Sequence, residues 1–151
     1  MRNITYILIG MVSMFSLAQV SELRTIQHDG NNRQFFLYVP ASYNQNNATP
    51  IMFNFHGGGG TASAHLNYTS DMRNLAESEN FILVYPQASP DPSSNVNSWI
   101  DKAGSNKNDI YFIEAIFNNL NTIYNIDDSR VYACGYSEGA IFTYELACRL
   151  S

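Results

Sequence analysis

Gly135-Tyr136-Ser137-Glu138-Gly139 is a G-x-S-x-G pattern. It needs context before it means anything, because glycine and serine are both common. Five β-prone residues, Arg130 to Cys134, precede it, and a helical stretch from Glu138 to Leu150 follows directly. That is the strand–turn–helix setting of a nucleophile elbow. The turn is so tight that a Cβ two residues either side of the serine would strike neighbouring backbone. It would present Ser137 Oγ at the C-terminal edge of a sheet and at a helix N-terminus, where developing negative charge is favoured. The competing reading is an ordinary glycine-flanked loop.

His56-Gly57-Gly58-Gly59-Gly60 is the second chemical feature. A serine that attacks an acyl group makes a tetrahedral oxyanion, normally held by two backbone N–H groups. One comes from the residue after the nucleophile, here Glu138. The other comes from a glycine loop after an earlier strand, so Gly58 or Gly59 is the expected second donor. A phosphate cradle would want a different glycine spacing and a following lysine, which is absent. Nothing in the chain implies a metal or an organic cofactor.

These residues need elements to hold them. Leu23 to Gln27 and Arg33 to Val39 are predicted strands, joined through Asp29-Gly30, a hairpin signal. Ile51 to Phe55 and Phe81 to Tyr85 are short apolar runs suited to buried strands. Thr69 to Glu79 is predicted helical, with Ser70 as N-cap and Met72, Leu75 and Ala76 facing inward. Ile110, Ile113, Ile116, Phe117, Leu120 and Ile123 recur at helical spacing behind Asp109. The helix after Ser137 is apolar on most sides and is expected to be buried. Strands alternating with helices predict an α/β fold: a mainly parallel sheet with helices on both faces.

Composition narrows the partners. Hydrophobic residues make up 45% of the 151-residue chain and charged residues 14%, with a net charge of −5. No lysine/arginine cluster is present, which argues against nucleic acid or an anionic membrane surface. Residues 1–18 read as a signal peptide: Arg2, an apolar run from Ile4 to Leu17, and Ser16-Leu17-Ala18 as a small-x-small cleavage site. An anchor or a buried strand is the alternative. Residues 19–151 then form part of a single domain, exported, with no membrane partner once the signal is cleaved. Export permits a disulfide, but Cys134 and Cys148 read rather as two buried free thiols.

The motifs together resemble the polyhydroxybutyrate depolymerase and feruloyl/acetylxylan esterase family of secreted α/β-hydrolases. The resemblance rests on 33–40 (RQFFLYVP), the His56 glycine loop, 81–87 (FILVYPQ), Ser98-Trp99, Asp109 with its helix, and 127–132 (DDSRVY) leading into the elbow. It covers nearly all of the chain after the signal. It implies an α/β-hydrolase fold and hydrolysis of carboxylic esters on a polysaccharide or a polyester, with Ser137 as nucleophile. Trp99 is then read either as lining the substrate mouth or as a buried structural tryptophan.

Three departures follow. The family often carries a cysteine where this chain has Ser98, so a bridge from there to Cys148 is not available. The residue after the nucleophile is commonly small or an amide, whereas Glu138 places a carboxylate that would repel anionic substrates. Finally, the fold's triad runs Ser…Asp/Glu…His, yet only Glu145 and no histidine follows Ser137. His28, His56 and His65 all precede it, and chain order speaks against each as the base. The expectation is therefore a chain truncated after the elbow helix, with acid and base beyond Ser151. The alternatives are a non-catalytic remnant or carbohydrate-binding relative, and a peptidase on the same fold.

Overall fold

A computed structural model describes residues 21–99 and 109–149. The expected signal segment and its cleavage site lie outside the described residues. One five-stranded sheet runs in the order β1-β2-β4-β3-β5. β1 (Glu22–His28) and β2 (Asn31–Tyr38) form the hairpin that Asp29-Gly30 announced. Both turn residues have positive φ, 49° and 73°, as a two-residue type I′ turn requires. β2 also runs antiparallel to β4 (Ile82–Pro86). From there the sheet is parallel: β4 to β3 (Thr49–Phe55), and β3 to β5 (Ile126–Gly135). The sheet is thus mixed, with its hairpin antiparallel and its site-bearing half parallel.

Two apolar clusters cover the two faces. On one face Phe35, Leu37, Ile51, Phe53, Phe55, Ile82 and Val84 pack under α3 (Asp109–Asn121) and α4 (Glu138–Arg149). On the other, Tyr38, Leu83 and Tyr85 pack against α1 (Ala62–Ala64), a π-helical turn (His65–Thr69) and α2 (Arg73–Glu79). β4 is buried along its whole length. That explains why it reads as a continuous apolar run rather than an alternating one.

Three local expectations are corrected. The helix predicted from Thr69 begins at Arg73, and its N-cap position is Met72, not Ser70. Ser70 is diverted: its Oγ accepts from Asn54 Nδ2 at 3.0 Å and its carbonyl from Tyr85 Oη–H at 2.7 Å. Tertiary hydrogen bonds have taken the groups a cap would use. On α2 only Ala76 is fully buried and Leu75 is exposed. Ile123 lies beyond the end of α3, also exposed. α4, expected to be buried on most sides, buries only Gly139, Phe142 and Leu146 and leaves Ile141 and Tyr144 exposed. It lies over the edge strand β5, and only one stripe of it meets the sheet.

Candidate active site

β5 ends at Gly135 and α4 begins at Glu138, so Ser137 occupies the turn between them. Its φ is +53°. The other non-glycine residues with positive φ among those described are Asp29, Asn80 and Asn95, types that tolerate the left-handed region. A serine there costs about 1–2 kcal/mol. The turn is held by Gly139 N–H to Tyr136 O at 2.9 Å and Ala140 N–H to Ser137 O at 2.9 Å.

The flanking glycines are sterically required. A Cβ on Gly135 would meet the Gly139 carbonyl carbon at 2.5 Å. One on Gly139 would collide with Phe55 O and would lie 2.6 Å from His56 O. The elbow is therefore pressed against the end of β3, where the glycine loop starts. Gly57 completes the contact: a Cβ there would stand 3.4 Å from Ser137 Cβ. The two motifs, far apart in sequence, are in van der Waals contact.

Within the loop the N–H groups divide. Gly59 N–H donates to Asn97 O at 2.7 Å and Gly60 N–H to Gly57 O at 3.0 Å. The Gly58 N–H is engaged by no described residue. Of the two glycines the sequence left open, Gly59 thus has its N–H committed to a backbone partner and Gly58 does not.

His56 is the hinge of this arrangement. Its Nε2 accepts from Ala88 N–H at 3.1 Å, which puts the proton on Nδ1, 2.8 Å from Gly57 O. The ring is buried, with Nδ1 holding the glycine loop and Nε2 tying it to the segment after β4. His65 is buried in the π-helical turn with Nε2 2.8 Å from Asn54 Oδ1. Burial, with a smaller contribution from the His56 charge, lowers its pKa to about 4. His28 ends β1 and packs against Phe112. Ser137 Oγ makes no hydrogen bond to any described residue, the three histidines included.

Trp99, left between mouth and core, lies in the core at 4% exposure. Its indole stacks on Phe142 at 4.9 Å and packs edge-on against Phe55 at 5.2 Å. The indole N–H donates to His56 O at 2.7 Å. It supports the glycine loop from beneath. Cys134 and Cys148 are free thiols, but neither is buried as expected: Cys134 is half-buried, and Cys148 is exposed because only one stripe of α4 meets the sheet. No group of three or more His, Cys, Asp or Glu side chains that could hold a metal occurs among the described residues.

Sequence reasoning missed two features. One is the buried Arg33–Asp109 ion pair at 2.6 Å, with Arg33 also 3.8 Å over the Phe112 ring. The charged type at the start of β2 was its only signal. The other is the Glu138 carboxylate, which turns toward Ser98 Oγ and lies 3.1 Å from the Trp99 N–H. Outside it lies an open cavity of about 460 Å³, lined by Gly58, Gly59, Asp91, Asn97, Ser98 and Glu138 among others.

No family model matches the chain. Individual relatives do. A bifunctional acetylxylan esterase/xylanase of Neocallimastix patriciarum is 28% identical over 128 residues, covering 83% of this chain and 17% of that protein. Poly(3-hydroxyalkanoate) depolymerase C of Paucimonas lemoignei is 30% identical over 138 residues, covering 89% and 32%. Acetylxylan esterase A of Emericella nidulans is 31% identical over 134 residues, covering 85% and 42%. The chain thus spans well under half the length of these relatives.

Among solved structures, a ferulic acid esterase from Anaeromyces mucronatus superposes with a TM-score of 0.68 at 21% identity, over 87% of this chain and 54% of that one. An acetyl xylan esterase from Aspergillus awamori gives 0.65 at 23%, over 85% and 47%. By sequence the chain is a relative of acetylxylan esterases, feruloyl esterases and a polyhydroxyalkanoate depolymerase, and by structure it carries the α/β-hydrolase fold of such esterases.

Proposed function

We propose that this chain is the nucleophile-bearing part of an exported serine esterase acting on carboxylic esters. Its substrates would be acetyl or feruloyl groups on plant polysaccharide, or a polyhydroxyalkanoate polyester. The observation that carries the reading is Ser137 at φ +53°, on a turn where glycine is sterically required on both sides. Strain at a serine that merely closed a loop would serve nothing, whereas a nucleophile must stand clear of its own helix.

In the reaction, Ser137 Oγ forms a bond to the ester carbonyl carbon and loses its proton to a histidine. The oxyanion is held by the N–H of Glu138 and that of Gly58, with Gly59 positioning the loop. Collapse expels the alcohol, which takes the proton back, and water then releases the acid by the same route. The base and its acid partner follow the nucleophile in this fold's chain order, so they are to be sought downstream of Ser137. The relatives' names include both polysaccharide and polyester substrates, which supports the substrate range. Export rests on residues 1–18.

The test has two arms. The nucleotide sequence past codon 151 is read for an open frame encoding an aspartate or glutamate and then a histidine. The 151-residue chain and the extended product are assayed on acetylated xylan, feruloylated oligosaccharide and poly(3-hydroxybutyrate). Activity is expected in the extended product, near absence in the short chain, and none in Ser137→Ala. Turnover that survives Ser137→Ala sinks the reading. A stop codon followed by unrelated sequence favours a non-catalytic remnant, to which the unbonded Ser137 Oγ would also be suited.

A further inference from the structure

Three consecutive residues, Asn97-Ser98-Trp99, hydrogen-bond to both the glycine loop and Glu138. Asn97 O accepts from Gly59 N–H at 2.7 Å, and its Nδ2 donates to Gly60 O at 2.8 Å. The Trp99 indole N–H donates to His56 O at 2.7 Å. Between these contacts, Ser98 Oγ–H and the Trp99 backbone N–H both donate to Glu138 Oε1, the latter at 3.1 Å. The segment is itself braced: Ser98 N–H donates to Ser89 O at 3.2 Å, and Asp91 N–H to Val96 O at 2.7 Å. One short stretch therefore joins the glycine loop to the first residue of α4.

The Glu138 link reaches the elbow through a side chain. The other oxygen of that carboxylate fills the space a Cβ on Gly58 would need. The carboxylate thus sits between the two places that supply oxyanion donors, Gly58 and its own backbone. We propose that Glu138 is a positioning residue: its carboxylate latches Ser98 and Trp99 to the elbow and thereby fixes the spacing of the two oxyanion-hole N–H groups. This rests on the esterase reading above. It also gives Gly58 a second requirement, since any side chain there would displace the latch.

Glu138→Ala keeps the backbone N–H and removes only the latch, while Glu138→Gln keeps an acceptor oxygen for both donors. Gly58→Ala displaces the carboxylate from the other side. Trp99, the chain's single tryptophan, reports the latch without any need for turnover. Acrylamide quenching of Trp99 is expected to rise at least about threefold in Glu138→Ala and Gly58→Ala, as its burial loosens. Exchange of the Gly59 amide, bonded to Asn97 O, should accelerate by about tenfold or more in both. Glu138→Gln should restore both readings toward wild type.

On 4-nitrophenyl acetate, in whichever product turns over, Glu138→Ala should lower kcat by roughly tenfold or more with little change in KM. Glu138→Gln should recover most of that loss. Wild-type quenching and exchange in Glu138→Ala would overturn the latch, as would a Gln variant no better than Ala. Should no product turn over, the esterase reading falls by itself, and the fluorescence and exchange readings still decide the latch.

Discussion

Two residues hold conformations or environments that they would not choose alone. Ser137 sits in the left-handed region, and Ser137→Gly removes that strain together with the proposed nucleophile. We expect the variant to be more stable by about 1 kcal/mol in urea unfolding and devoid of esterase activity. A Gly variant no more stable than wild type would show that the turn is not strained. His65 is the second. Its pKa is about 4 when folded against an ordinary 6.5, because burial beside Asn54 disfavours the charged ring. The unfolded chain binds a proton below pH 6.5 that the folded chain refuses until about pH 4. Stability is therefore expected to fall as pH drops through that window, by up to roughly 3 kcal/mol, and to be flat above it as far as His65 is concerned. Urea midpoints measured from pH 4 to 7.5 should show a shallower slope for His65→Gln, which keeps a donor for Asn54.

At the scale of elements, the joints matter more than the elements. The Arg33–Asp109 pair, both partners almost wholly buried, ties β2 to the first turn of α3. Asp109 also stands at the positive end of that helix. Removing one partner leaves a buried charge without its mate, so Arg33→Met alone should cost about 3–5 kcal/mol. Adding Asp109→Leu to it should recover much of the loss, as a thermal or urea melt would show. The elbow joint is more exacting. A Cβ on Gly139 meets the backbone carbonyls of Phe55 and His56, not the tip of a flexible side chain. Gly139→Ala must push α4 away from β3, and a cost at or above the ~1–3 kcal/mol of ordinary overpacking is expected. Trp99 fluorescence should change with it, since Phe142 on α4 stacks on that indole.

For the whole molecule, the sheet has unequal edges. β1 closes one side with a short polar hairpin. β5 bounds the other with Val131 and Tyr132 exposed, and Ile141 and Tyr144 stand exposed on α4 beside it. Unpaired edge backbone flanked by exposed apolar side chains invites association with another chain. The 151-residue chain is therefore expected to bind an apolar dye while folded and to aggregate at moderate concentration. Tyr132→Lys should suppress the aggregation without lowering the melting temperature. Equal aggregation of the two by light scattering would remove β5 as the cause. No helix among the described residues is long and apolar enough to cross a membrane.

Much of this was legible because it is local. Asp29-Gly30 encodes a turn that only small or polar residues with positive φ can make. The apolar runs at 51–55 and 81–85 encode strands buried on both faces, and the chemistry at Ser137 and the glycine loop is written in residue type and spacing. What the sequence could not state is pairwise and distant. Ser70 looks like a helix cap until Asn54 and Tyr85 take its groups. Trp99 reads equally as mouth or core until Phe55, Phe142 and His56 O enclose it. Glu138 reads only as a charge beside Ser137 until Ser98 and the Trp99 N–H are seen to donate to it. By itself the sequence determined the strands and the turn and singled out Ser137 as the expected nucleophile, since those depend on neighbours along the chain. Only the tertiary structure decided which hydrogen-bonding groups are spoken for, because their partners lie tens of residues away and meet only when the sheet assembles.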